Sequence, residues 1–204
     1  MRTLETVAYS SEEAERWSAA LAGSSEAFAT LFDQHGDRVY GCALRLLANV
    51  HDAEDVTAGV FLELWRRRNA VTLVEGSVLP WLLVTTSNLS RNAARSLRRY
   101  RSLIRSLPRL EASRGAGEVA QERMEASHAQ HRVREALRSL SASDAALIAM
   151  TAFEGMSARE AASALGISEG AARTRLHRAR ARIASTLGHP PEEILAAGTQ
   201  EETR

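Results

Sequence analysis

Between positions 173 and 182 the chain carries Arg173, Arg175, Arg178 and Arg182, with Thr174 and His177 among them. Guanidinium, imidazole and hydroxyl groups at that density suit phosphate oxygens and base edges, and an arginine fork can bind guanine or phosphate at two points at once. Whether one surface presents them depends on the helix beneath. At about 100° per residue, Ala172, Leu176, Ala179 and Ile183 share an inward stripe. Thr174, His177, Arg178 and Ala181 then point away from it, with Arg173 on one flank and Arg175 and Arg182 on the other.

The preceding residues supply what such a helix needs. Ser168 stands where a side-chain cap belongs. Ser157 and Glu160 have capping-box spacing, Ala161, Ala162 and Leu165 form an apolar face, and Gly166 provides a helix stop before Ile167 fills the turn. Residues 157–183 thus read as a helix-turn-helix whose second helix would lie in a major groove. A helical bundle with a solvated basic face has the same pattern, and these residues alone leave both readings open.

A second surface of this kind follows Pro80. Trp81, Leu82, Leu83 and Val84 are apolar, and then Asn88, Arg91, Asn92, Arg95, Arg98 and Arg99 recur at helical steps. Amides beside guanidiniums suit base edges as well as backbone. Residues 69–79 break the helical pattern and read as a loop containing Gly76 and Ser77. Upstream, Asp52 is expected to cap a helix DAEDVTAGVFLELWRRR with Asp55 in its first turn. Val56, Val60, Leu64 and Phe61 face inward, leaving Asp55, Leu62 and Trp65 as a mixed acidic and apolar surface. Trp65 is there either as an anchor for a protein partner or as core. An earlier helix after Ser24–Ser25 carries Phe28, Leu31, Phe32, Val39, Tyr40, Ala43, Leu44 and Leu47, and Asn49 to His51 interrupt it.

The elements divide by charge. The formal net of +1 conceals −7 over residues 1–65, +9 over 66–110 and +4 over 129–187. An acidic front followed by basic blocks suggests a protein partner for the first and nucleic acid for the others. All 26 basic side chains are arginine, which coding bias in a GC-rich genome explains more simply than function does. Cys42 is the single cysteine, so no internal disulfide can form, and a reducing, cytoplasmic setting and a buried thiol are expected. There is no membrane-length apolar run and no signal-peptide core.

The organisation that follows is all-α, with two small helical domains joined by a flexible linker. The boundaries are an acidic lead-in at 1–22, either a helix or a frayed end, with Trp17 and Leu21 as candidate anchors, a first domain at 23–99, a linker at 100–128, a second domain at 129–187 and an acidic tail at 188–204. In the second domain Ser141 and Asp144 make a further capping box ahead of Leu147, Ile148, Met150 and Phe153 as core. The linker could span on the order of 90 Å at about 3.3 Å per residue, so the halves need not touch.

In this order and spacing the three stretches resemble a bacterial RNA polymerase sigma factor of the sigma-70 family, in the small extracytoplasmic-function (ECF) group. The likeness covers about residues 28–187. DAEDVTAGVFLELW resembles the segment that docks on the polymerase β′ clamp helices, PWLLVTTSNLSRNAARSLRR the reader of the −10 element, and SAREAASALGISEGAARTRLHRARARI the reader of the −35 element. The resemblance implies polymerase contacts at Asp55, Phe61, Leu62 and Trp65. It implies −10 contacts at Asn88, Arg91, Asn92, Arg95, Arg98 and Arg99, with the 72–79 loop holding a flipped base. It implies −35 contacts at Ser168, Arg173, Thr174, Arg175, His177, Arg178 and Arg182. The implied partners are core RNA polymerase, through the β′ clamp helices and the β flap, promoter DNA, and an anti-sigma factor. Ala58 and Gly59 depart from the family's Gln and Glu, removing polar contacts and adding a helix-weakening glycine.

Two other readings compete. A stand-alone helix-turn-helix regulator would explain 157–183 but leave the docking helix and the Asn/Arg helix unused. A degenerate sigma-like protein acting through an anti-sigma partner would accommodate Ala58 and Gly59. Enzyme chemistry is not expected: there is no phosphate-binding glycine loop and no Ser/His/Asp signature, and His128 and His131 lack a third ligand, so neither metal nor cofactor is implied.

Overall fold

The computed structural model describes the backbone of residues 2–106, 132–133 and 135–188, and the side chains of 12–97, 99, 132–133 and 135–188. The linker beyond 106, His128, His131, the Arg98 side chain and the tail from 189 lie outside the described residues. Four helices build the first half: α1 (Arg2–Leu21), α2 (Ser25–Leu47), α3 (Val50–Arg67) and α4 (Leu79–Ser106). The second half holds helical residues 135–139 (α5), then α6 (Ala142–Ile148), α7 (Ala158–Leu165) and α8 (Glu169–Leu187). All regular structure among the described residues is helical apart from one isolated bridge, Val74 to Ser77.

Local chemistry sets most boundaries. Ser24 caps α2 by accepting a hydrogen bond from Ala27 N at 3.2 Å. Leu31, His35, Val39, Cys42, Ala43 and Leu47 then form its buried face, at helical steps. The chain turns at Ala48, a left-handed residue at φ 57°. Asp52 is not the cap of α3. Asn49 is, its Oδ1 accepting from Asp52 N at 3.1 Å, so the interruption is two residues long and His51 is already helical. The amide side chain wins because it follows the left-handed residue in extended conformation, the geometry that a cap requires.

Of the two readings of the lead-in, the helix is the one found, over Arg2–Leu21. Trp17 and Ala20 of α1 are buried against α2–α4 in one core with Leu31, Val39, Val60, Leu64, Val78 and Leu82, whereas Leu21 is exposed. In the second half, Ser141 caps α6, but the Asp144 carboxylate turns to Ser141 Oγ and to Arg175. A π-type turn at Ala149–Phe153 follows. It carries Phe153 to the surface, 41% exposed under the Arg45 guanidinium, rather than into the core.

The two halves touch. Leu79, Leu83 and Cys42 of the first half share a core with Leu137, Leu140, Leu147, Met150 and Leu176 of the second. Arg38 pairs with Glu154 at 2.9 Å, and Arg138 donates to the Leu47 carbonyl at 2.6 Å. A long linker permits separation, but two apolar faces lower the free energy by meeting, at roughly 1.5–3 kcal/mol per fully buried leucine.

Candidate nucleic-acid interface

The helix-turn-helix forms from the caps legible in the sequence. Ser157 accepts from Glu160 N, and the Glu160 carboxylate accepts from Ser157 N at 2.6 Å, completing a reciprocal capping box. Gly166 at φ 63° ends α7, and Ser168 Oγ accepts from Ala171 N at 3.2 Å to open α8. Where the two helices meet, buried Ala161, Ala162, Ala172 and Ala179 keep side-chain bulk low and let the axes approach closely. Leu176 and Ala184 complete the inward stripe, and Ile183 packs half-buried on the same core.

That packing sorts the seven residues read as a −35 surface. Arg173, Thr174, His177 and Arg178 are exposed on one side of α8. Arg173 is held along the helix by Glu169 at 2.7 Å, and Thr174 donates to the Gly170 carbonyl at 2.9 Å, keeping lone pairs outward. Arg175 instead turns back into the domain: Nε donates to Asp144 Oδ1 at 2.8 Å. Arg182 donates to the Ser139 carbonyl at 3.2 Å, and the Ser168 hydroxyl is engaged in capping.

On α4, Asn88, Asn92, Arg95 and Arg99 are exposed. Asn88, Asn92, Arg95 and Arg99 follow steps of four, three and four, so one face presents two amides and two guanidiniums. Arg91 is half-buried and donates to the Leu140 carbonyl across the contact between the halves. Beside it opens a cleft lined by Ser87, Ser90, Arg91, Arg95 and Arg138. The loop ahead of α4 closes as a tight two-residue hairpin, Val74 N to Ser77 O at 3.1 Å and Ser77 N to Val74 O at 3.0 Å.

The acidic and apolar surface expected on α3 also divides. Asp55, Ala58 and Leu62 are exposed in a row on α3, Leu62 at 56%. Phe61 is buried at 3%, so it supports the surface from beneath and cannot itself meet a partner. Trp65 is half-buried, edge-on to Phe28 at 5.1 Å and covered by the Arg68 guanidinium at 4.4 Å. Phe32, one of the apolar residues recurring along α2, is 42% exposed, its ring 4.6 Å from that of Phe61. A broad apolar stripe on α2 concealed this, because periodicity alone does not say which edge of a stripe stays uncovered. No group of three or more His, Cys, Asp or Glu that could hold a metal ion occurs among the described residues.

The same segments match known families. Residues 31–100 fit the family model described as Sigma-70 region 2, and residues 130–183 that described as Sigma-70, region 4. RNA polymerase sigma factor CarQ of Myxococcus xanthus is 30% identical over 173 residues, covering 84% of this chain and 95% of CarQ. The chain belongs to the ECF sigma factors. The ECF RNA polymerase sigma factor SigE of Mycolicibacterium smegmatis is 32% identical over 164 residues, 80% of this chain but only 62% of SigE. Among solved structures, CnrH in complex with the cytosolic domain of CnrY is similar at 25% identity and a TM-score of 0.57, covering 86% of this chain and 97% of that one. The sigma factor RpoE of Bartonella quintana, solved with the anti-sigma factor NepR, shares the fold at 21% identity and a TM-score of 0.50. ECF sigma factors are transcription initiation factors and not enzymes. The α1 helix lies ahead of both matched regions.

Proposed function

We propose that this ECF sigma factor binds core RNA polymerase and directs initiation by reading duplex DNA at −35 and melted DNA at −10. The observation that carries the reading is the face of α8. Arg173, Thr174, His177 and Arg178 stand exposed together on a helix whose opposite side is fixed by Ala172, Leu176, Ala179 and Ala184. Such a helix keeps a constant orientation in a groove, with the arginines on phosphate or guanine. Arg175, Arg182 and Ser168 serve this surface by holding α8 in place.

The −10 strand runs along Asn88, Asn92, Arg95 and Arg99 of α4, and a base released from the stack meets the 72–79 loop. Extruding a base costs on the order of a few kcal/mol, which those contacts offset. Arg91 joins this surface once its bond to the Leu140 carbonyl is released, so the halves part when DNA is engaged. Polymerase docks on the row Asp55, Ala58, Leu62 with Phe32 beside it, and Phe61 and Trp65 stiffen the patch from below. An anti-sigma factor is a further partner, in line with the complexes formed by CnrH and by the Bartonella RpoE. The work is cytoplasmic, where polymerase is. No helix among the described residues is long and apolar enough to cross a membrane.

Pull-down of purified core polymerase by the full chain, with Asp55→Ala plus Leu62→Ala as the comparison, tests the reading. Retention by the wild type and loss in the double variant is expected. Absence of polymerase binding, with duplex DNA still bound, would replace it with a stand-alone regulator.

A further inference from the structure

Glu13, on α1, is a carboxylate buried at 4%. Its Oε1 accepts from His35 Nε2 at 3.0 Å, Ser77 Oγ at 2.9 Å and Val78 N at 2.7 Å. Its Oε2 accepts from Gln34 Nε2 at 3.1 Å. Ser77 Oγ in turn accepts from Leu79 N at 3.1 Å. Two amides at the start of α4 are therefore satisfied by Glu13, one directly and one through Ser77. A carboxylate is favoured there by the positive end of the helix dipole.

The loop so held is strained. Glu75 lies at φ 49° and Gly76 at φ 77°, both in the left-handed region, the arrangement of a type I′ turn. Glycine takes this backbone freely, but a glutamate there costs on the order of 1 kcal/mol. A turn of this kind persists where its surroundings over-determine it. Trp17 and Ala20, four and seven residues beyond Glu13 on the same face, anchor α1 in the core and make Glu13 a fixed point.

We propose that Glu13 is a positioning residue for base selection: by clamping Ser77 and Val78 it holds the 72–79 loop in one shape and so sets how strictly the loop discriminates among melted −10 bases. The inference rests on the reading that this loop meets a −10 base. Glu13 touches no DNA. It acts through stiffness, because a rigid loop rejects a base whose edge does not fit and a loosened loop adapts to it. Total affinity depends mostly on phosphate contacts along α4, which Glu13 leaves alone.

The test uses the full chain bound to core polymerase and single-stranded oligonucleotides randomised across the −10 region, with the bound fraction sequenced. The wild type is expected to enrich one base at one position. A good hydrogen-bonded contact discriminates by about 5- to 150-fold, so Glu13→Ala should cut the enrichment at least about fivefold while total bound DNA changes less than about twofold. Glu13→Gln, whose Oε1 still accepts from Val78 and Ser77, should restore most of the selection. Ser77→Ala removes only the loop arm of the clamp and should fall between, which keeps the test open if Glu13→Ala does not fold. Unchanged enrichment in all three variants overturns the proposal. So does a parallel loss of polymerase binding, DNA binding and helicity in Ser77→Ala as well as in Glu13→Ala, which would make the clamp merely structural. A wild type that enriches no base overturns the loop reading itself, and that failure is visible before Glu13 is altered.

Discussion

Arg175 tests whether packing or sequence position decides what an arginine on α8 does. It lies within the basic run, yet its Nε is bonded to Asp144 Oδ1 at 2.8 Å, and the carboxylate and guanidinium side chains are 24% and 34% exposed. Removing the guanidinium from Arg175→Ala leaves Asp144 half-buried beside the α6 cap. A charge-assisted hydrogen bond contributes about 1.5–3 kcal/mol when shielded, and an exposed ion pair about 0–1. With partial exposure on both sides, a loss of about 1 kcal/mol is the expected magnitude, or about 2–4 °C in Tm for a chain of this size. Asp144→Ala should cost a similar amount, and the double variant should cost less than the two single losses added together. Arg178→Ala, exposed and outward, should leave Tm within about 0.5 kcal/mol equivalence yet reduce the salt dependence of duplex binding by about one phosphate contact. Thermal unfolding and salt-titrated anisotropy measure both. If Arg175→Ala melts like the wild type and loses DNA affinity as Arg178→Ala does, the Asp144 pair does not hold Arg175 and the assignment of roles on α8 is wrong.

Three further outcomes are expected. An added Cβ at Gly59 would meet only Leu89 Cδ1 at 3.5 Å, an ordinary contact, so Gly59→Ala should stabilise α3 by about 1 kcal/mol in urea unfolding, and a destabilised variant would contradict that packing. Burial pushes the Cys42 thiol up to about 12, partly offset by Arg45, so it should resist alkylation at pH 8 in the native protein and react once unfolded. Burial by itself would raise the Glu13 carboxyl, but hydrogen bonds from His35, Val78 and Ser77 and the charge of His35 together hold it below its ordinary 4.5. Its stabilising contribution is therefore complete above 4.5 and lost as pH falls through the lowered folded value. Glu13→Gln should flatten that part of the acid-unfolding curve, and an identical slope in both proteins would count against the buried clamp.

The helical class and the helix-turn-helix caps were legible from residue order, because caps, apolar periodicity and glycine stops act within a few residues of one another. Ser157, Glu160, Gly166 and Ser168 do in the folded chain what their spacing implies. Contacts between distant residues were not legible. Arg175 and Arg178 differ by three positions in one helix, and only Asp144, 31 residues upstream of Arg175, separates their roles. Phe61 and Leu62 are neighbours, and the bundle buries one and exposes the other. Ala48 displaced the expected cap from Asp52 to Asn49 through its left-handed backbone. Glu13 left a trace, an acid four residues before Trp17 and seven before Ala20 on one apolar stripe, but its partners Ser77 and Val78 lie 64 and 65 residues away. Short-range backbone rules thus determined the helices, most of their ends and the polar side chains strung along α4 and α8. Tertiary packing decided which of those side chains remain free, because burial and charge pairing depend on which helices meet.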